Sequence, residues 1–282
     1  MTASGPKTES RRKPSLPLVV GTVLFALMPY LVWHQTWFGR RLSDDELGRY
    51  LVDTGHSRHI QHALYQAAER MDRGDPSVAA WYPRMIEASH NPQIEVRTVA
   101  AWAMGHDSRS EPLHAALLPM LRDPEPLVRW NAALALVRLG DSRGHDEVAG
   151  ILQPYSVPAG RAGTVTMKVR AGQEMERGTV LAIVRAPGGQ DTEVRSPFSG
   201  QVEAVLAETG SQVDTATPVA GVRAGEDEIW EALRGLYFIG RRGDLGIVEA
   251  AERNPALTER IRRQATVTAS AIRSRPEPSP TR

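Results

Sequence analysis

Three histidines, His56, His59 and His62, recur at every third residue, and imidazole at such spacing is where metal chemistry is sought first. Steps of about 300° drift around a helix, so at most two of them share a face. No acidic or further histidine partner is read on that stretch, and the three are assigned to an exposed polar stripe. Asp44-Asp45-Glu46 places three acids in a row. Their simpler use is the first turn of a helix, where they meet the positive end of its dipole. Residues 160–163 and Gly188-Gly189 are rich in glycine but lack the Lys-Ser/Thr or the strand-to-helix setting of a phosphate loop. Neither G-x-S-x-G nor H-E-x-x-H occurs. The absence of cysteine excludes disulfides, Cys-ligated zinc, iron–sulfur clusters and thiol nucleophiles. No catalytic, cofactor-binding or metal-binding residue is nominated, and the chain is expected not to be an enzyme and to need no cofactor.

Composition narrows the partners. The 282 residues carry 34 basic against 33 acidic side chains, a net charge of +1 that gives no field to gather nucleic acid. All but three of the cations are arginine, yet acids balance them segment by segment, so no basic patch follows. No small-molecule substrate is evident.

No charged residue lies between positions 16 and 39, and 16–33 reads LPLVVGTVLFALMPYLVW. That run is long enough to cross a hydrocarbon core of about 30 Å as a helix. Tyr30, Trp33, Trp37 and Phe38 suit the headgroup layer, and Arg40 and Arg41 mark the exit. A cleaved signal peptide fits less well, because no small-x-small site follows. Lys7, Arg11, Arg12 and Lys13 precede the segment. The positive-inside bias therefore predicts a cytoplasmic tail over 1–15, a single-pass inner-membrane helix over 16–39 and a periplasmic body.

Beyond Leu42 the sequence turns to helical periodicity with an internal repeat. Asn91-Pro92, Val96-Arg97 and Ala100-Ala101 recur as Asp123-Pro124, Val128-Arg129 and Ala132-Ala133, a shift of 32 residues. Asn or Asp is read as a helix cap, Pro as a first-turn residue, and the alanines as sites of close helix approach. Partner helices are expected over 78–88 and 112–121, with a degenerate pair over 44–53 and 57–71. The pattern resembles HEAT repeats, and the resemblance implies that Arg97 and Arg129 are ladder arginines pairing with acids such as Asp123.

From 157 to 222 the periodicity shortens to strands, and two halves rich in glycine and valine match at a shift of 38, as in Met175 with Val213 and Leu181 with Val219. With Ser196-Pro197-Phe198-Ser199-Gly200-Gln201-Val202, this resembles the biotinyl/lipoyl-type barrel-sandwich hybrid, a fold also found in membrane fusion (periplasmic adaptor) proteins. The resemblance implies a cofactor-bearing lysine at the hairpin joining the halves. That hairpin, near 186–190, has none. Met167-Lys168 is similar to the Met-Lys of biotin acceptors but lies in the first half, where a solvent-facing strand residue is expected. Adaptors carry a long coiled-coil hairpin between the halves, and here only a few residues connect them.

Helices return over 227–239, 244–252 and 255–273, where Ile261-Arg262 and Ala265 echo the repeat. The sequence therefore predicts a multidomain chain: a transmembrane helix, an α-helical HEAT-type solenoid over 43–153, an all-β lipoyl-like module over 154–224 inserted between helical repeats, C-terminal HEAT-like helices over 226–274, and a disordered tail over 275–282. The segments 145–152 and 227–239 are expected to be the two helices of one interrupted hairpin. The function so implied is a membrane-anchored scaffold binding other envelope or membrane-complex proteins, with a periplasmic adaptor subunit as the alternative.

Overall fold

The computed structural model describes residues 40–276 together with Gly21, Val23, Phe25, Leu27 and Met28. The expected transmembrane segment otherwise lies outside the described residues, as does the tail beyond Pro276. Those five positions are helical. No helix among the described residues is long and apolar enough to cross a membrane.

The acidic run opens α1 (Asp44–Leu51), and Ser43 completes the start by a reciprocal box. The Ser43 N–H donates to Glu46 Oε2 at 3.0 Å while the Glu46 N–H donates to Ser43 Oγ at 3.3 Å. Next comes α2 (Ser57–Asp72), burying Ile60, Leu64, Ala67 and Ala68 on one stripe. The helix expected over 78–88 is broken: a 3-10 turn over Pro76–Trp81 gives way to α3 (Tyr82–Ala88). Pro83 is the reason, since it lacks a donor and is tolerated only in a first turn.

The repeat signature builds α4 (Ile94–Met104) and α6 (Pro126–Arg138), with α5 (Glu111–Met120) between them. Ala100, Ala101, Ala132 and Ala133 are fully buried, and α4 packs directly on α6. Small side chains at equivalent turns permit that approach. Asn91 and Asp123 are not helix caps as expected. Each carboxamide or carboxylate oxygen accepts from the N–H two residues on, at 2.9 Å, and the helices begin after Gln93 and Glu125. These are Asx turns, which place the prolines ahead of the helix rather than in it.

After α7 (His145–Gly150) the chain enters eight strands: β1 (Tyr155–Pro158), β2 (Gly163–Met167), β3 (Glu174–Met175), β4 (Val180–Arg185), β5 (Asp191–Arg195), β6 (Gly200–Val205), β7 (Gln212–Val213) and β8 (Pro218–Ala224). Two four-stranded sheets run β1-β8-β6-β3 and β5-β4-β2-β7. Shifting by about half the module maps β1 onto β5, β2 onto β6, β3 onto β7 and β4 onto β8, so each sheet mixes strands of both halves. Gly163 and Gly200 occupy equivalent places. A Cβ on either would lie 2.2 Å from the Arg185 carbonyl oxygen or 2.1 Å from that of Arg223, so no side chain fits.

Tyr155 of β1 faces Val222 of β8, so the chain enters and leaves the β module side by side. Then α8 (Glu226–Ile239) packs against α6 and α7, and α9 (Leu245–Arg253) and α10 (Glu259–Ser274) follow. The last helix starts four residues after the expected Pro255, because the Asn254 side chain accepts from the Ala256 N–H at 2.9 Å and holds a turn. One continuous cluster of buried apolar side chains runs from Trp130 and Val148 through the β module to Leu236 and Ile272. The expected tail is not free at its start: Arg275 donates to the carbonyls of Tyr237 and Gly240.

Candidate functional site

The site is built on the paired helix starts. Arg97 grips Asp123 through two hydrogen bonds, Nε to Oδ2 at 2.7 Å and Nη2 to Oδ1 at 3.1 Å. Its Nη1 donates to the carbonyls of Asn91 and Pro92 at 2.9 and 3.2 Å. Both side chains are nearly buried, 13% and 10% exposed, so each charge depends on the other. Burial pushes the Asp123 carboxyl up, but the Arg97 hydrogen bonds and the Glu125 N–H outweigh it and hold the group below its ordinary value.

Arg129 repeats the grip on its own turn, donating to the carbonyls of Asp123 and Pro124 at 2.8 and 3.1 Å. The acid of a following repeat is missing, because strands begin where that turn would fall. Glu147 of α7 substitutes, 3.1 Å from Arg129 Nε. The ladder roles expected for the two arginines therefore hold in geometry, with a different acid at the second rung.

The β module is pinned against these helices by Phe198. Its ring is 1% exposed and lies 4.5 Å from the Trp130 ring of α6 and 5.8 Å from that of Tyr155. Ser196 shapes the approach, donating from Oγ to the Phe198 carbonyl at 2.6 Å. Arg177 adds an ion pair with Glu95 at the start of α4, at 2.9 Å. The segment singled out by sequence as the module's signature is thus also its attachment to the solenoid.

Between the two lies a groove of about 750 Å³. Its floor is the helix starts, Ile94, Glu95 and Pro124 to Pro126; its walls are β1 and residues 192–195 of β5. Both walls are edge strands, paired on one side only among the described residues. Such edges offer backbone donors and acceptors to an added strand. Glu125, Glu193, Arg177 and Arg195 line the same space, so it presents both signs of charge.

The hairpin joining the halves is the five-residue turn 186–190 between β4 and β5, with Gly188 and Gly189 at φ of 115° and 86°. It contains no lysine. Lys168 is exposed just past the end of β2, its N–H bonded to the Leu181 carbonyl at 2.8 Å, away from that turn in sequence and ladder. A coiled-coil insertion between the halves is absent from these described strands.

The polar stripe expected of the three histidines is corrected. His56 is exposed and His59 partly so, but His62 is buried on the inner face of α2. Asp53, one helical step before His56, accepts from both outer imidazoles, at 3.1 Å from His56 Nδ1 and 2.5 Å from His59 Nδ1. The D-x-x-H-x-x-H spacing was the available signal, and it lies partly outside the helix.

A family model of HEAT repeats matches residues 82–157, and one described as "Biotin-requiring enzyme" matches residues 155–222. The chain thus combines a HEAT-like helical region with a β-sandwich module similar to biotin- and lipoyl-carrying domains. The two matches overlap over residues 155–157, at the start of β1. No curated protein matches the chain. Neither family model is that of a catalytic domain: one describes a scaffold of helices, the other a carrier.

Proposed function

We propose that the chain is a membrane-tethered interaction scaffold, in which a HEAT-type hairpin is interrupted by a carrier-like module used for protein recognition rather than for cofactor transport. The observation that carries this reading is the groove, to which both regions contribute and which two unpaired strand edges flank. A polypeptide segment added along β5 would gain backbone hydrogen bonds while its side chains meet Glu125 and Arg177. The hairpin without a lysine supports recognition over transport. The short turn at 186–190 supports a scaffold over a periplasmic adaptor. The uncharged segment 16–39 supplies the tether, with the basic residues before it favouring a periplasmic body and envelope or membrane-complex partners.

The test is site-specific photocrosslinking in intact cells. A photoreactive residue at Thr192 should give discrete adducts with a membrane or envelope protein, whereas one at the exposed Arg263 should not. Equal or absent labelling at both positions would remove the groove from the argument. Carbonate extraction and protease access from the periplasmic side check the tether and its orientation.

A further inference from the structure

We propose that Asp53, His56 and His59 form a binding site for a divalent transition-metal ion of the zinc class. One ligand atom from each, a carboxylate oxygen and a ring nitrogen of each histidine, lies within 4.8 Å of the other two. An ion held at about 2.0–2.2 Å by tetrahedral N and O ligands needs donor atoms about 3.3 Å apart. Asp53 Oδ2 stands 3.1 Å from His56 Nδ1, close to that value, and 2.5 Å from His59 Nδ1, so a small shift of the Asp53 carboxylate opens the second distance.

The backbone brings the three together before any ion arrives. The His56 N–H donates to the Asp53 carbonyl at 3.1 Å and the His59 N–H to the His56 carbonyl at 2.8 Å, a tight turn leading into α2. The Tyr50 ring stacks on His59 at 4.2 Å with planes 8° apart, which fixes the orientation of that imidazole. His56, with 69% of its side chain exposed, leaves the approach open from solvent and a fourth position for water. Both imidazoles aim the same nitrogen at one carboxylate.

Two imidazoles and one carboxylate suit zinc, nickel or copper better than magnesium or calcium, which take oxygen-rich sites. On binding, each imidazole gives its Nδ1 lone pair to the ion and carries its proton on Nε2; a neutral ring only moves the proton from one nitrogen to the other, so no net proton leaves it. No electron transfer is involved. His62 is not a ligand, since it faces inward from α2.

The experiment is calorimetric titration of ZnCl2 into the full-length chain, purified in mild detergent without a histidine tag and stripped with EDTA. One ion per chain is the expected result, and Co2+ in its place should show visible absorption of tetrahedral geometry. His56→Ala should weaken Zn2+ binding by at least about tenfold, as loss of one of three ligands implies. Because that side chain is exposed, the melting temperature without metal should not change. Asp53→Asn should weaken binding comparably. No binding of Zn2+, Co2+, Ni2+ or Cu2+, or binding that His56→Ala leaves intact, overturns the proposal.

Discussion

Replacing Phe198 by alanine tests whether the β module and the helices form one cooperative body. The ring is almost wholly excluded from solvent and contacts aromatic rings on both sides of the junction, Trp130 from α6 and Tyr155 from β1. Truncating a buried phenylalanine costs about 3–5 kcal/mol, of which an aromatic pair supplies about 0.5–1.5. At about 2–4 °C per kcal/mol for a body of this size, the melting temperature should fall by roughly 6–20 °C. The buried cluster is continuous from Phe198 to Ile272, so one shared transition should move as a whole in calorimetry or far-ultraviolet dichroism of the full-length chain. Phe198→Leu should restore most of the loss, because it keeps much of the volume. A loss below about 1 kcal/mol, or a strand transition that shifts while a separate helical one stays, would refute the continuity argued from the core.

Arg97→Leu should destabilise the body by about 3–5 kcal/mol in urea titration, since it strands the buried Asp123 carboxylate, and adding Asp123→Asn to it should recover part of that. Asp123 and Asp141 are both held below their ordinary value of 3.8, the latter chiefly by the Arg143 hydrogen bond. Depressed carboxyl groups stabilise above the unfolded value and lose that contribution as pH falls through the folded one. Acid unfolding should therefore set in below about pH 4, and Asp123→Asn should flatten its slope. His145→Ala removes the buried 2.8 Å bond from Nε2 to Asp244, which ties α7 to the turn before α9, and should cost about 2–3 kcal/mol by chemical denaturation. Intact mass of the purified chain should equal that of the unmodified sequence; a biotinyl or lipoyl increment on Lys168 would turn the module back into a carrier.

Repeats were legible in the sequence because they are local and periodic. Val-Arg and Ala-Ala at a 32-residue shift, and the matched Gly and Val positions of the two strand sets, each report a face that must be buried again and again. Pairwise contacts between distant segments leave no such trace. Phe198 reads as one apolar residue in a turn, and nothing near it names Trp130. His145 and Asp244 are likewise 99 residues apart in the chain, one opening a helix and the other closing a turn. The metal candidate was missed for a subtler reason: counting histidines on a helical wheel excluded Asp53, which sits in the turn ahead of the first helical residue. The same wheel called His62 exposed, although its neighbours Ala63 and Leu64 show that the apolar stripe of α2 passes beneath it. Proline accounts for the shifted helix start at Tyr82, and Asx turns account for those at Ile94, Pro126 and Glu259, where a side chain claims a backbone donor before the helix can.

Each sheet of the module takes its far strand from the other half: β3 pairs with β6, and β7 pairs with β2. A cut in the exposed turn at 186–190 would therefore not free either half. The fragments would stay clasped through four ladders, β1 with β8, β2 with β7, β3 with β6 and β4 with β5, and a shared interior, and separately produced halves should find one another as a complementing pair. Nicking at that turn becomes a silent event for the body's integrity while it severs the covalent path between β4 and β5. A partner strand laid along β5 would then be held by a segment whose near end is no longer anchored to its hairpin, so cleavage there could loosen recognition without dismantling the protein.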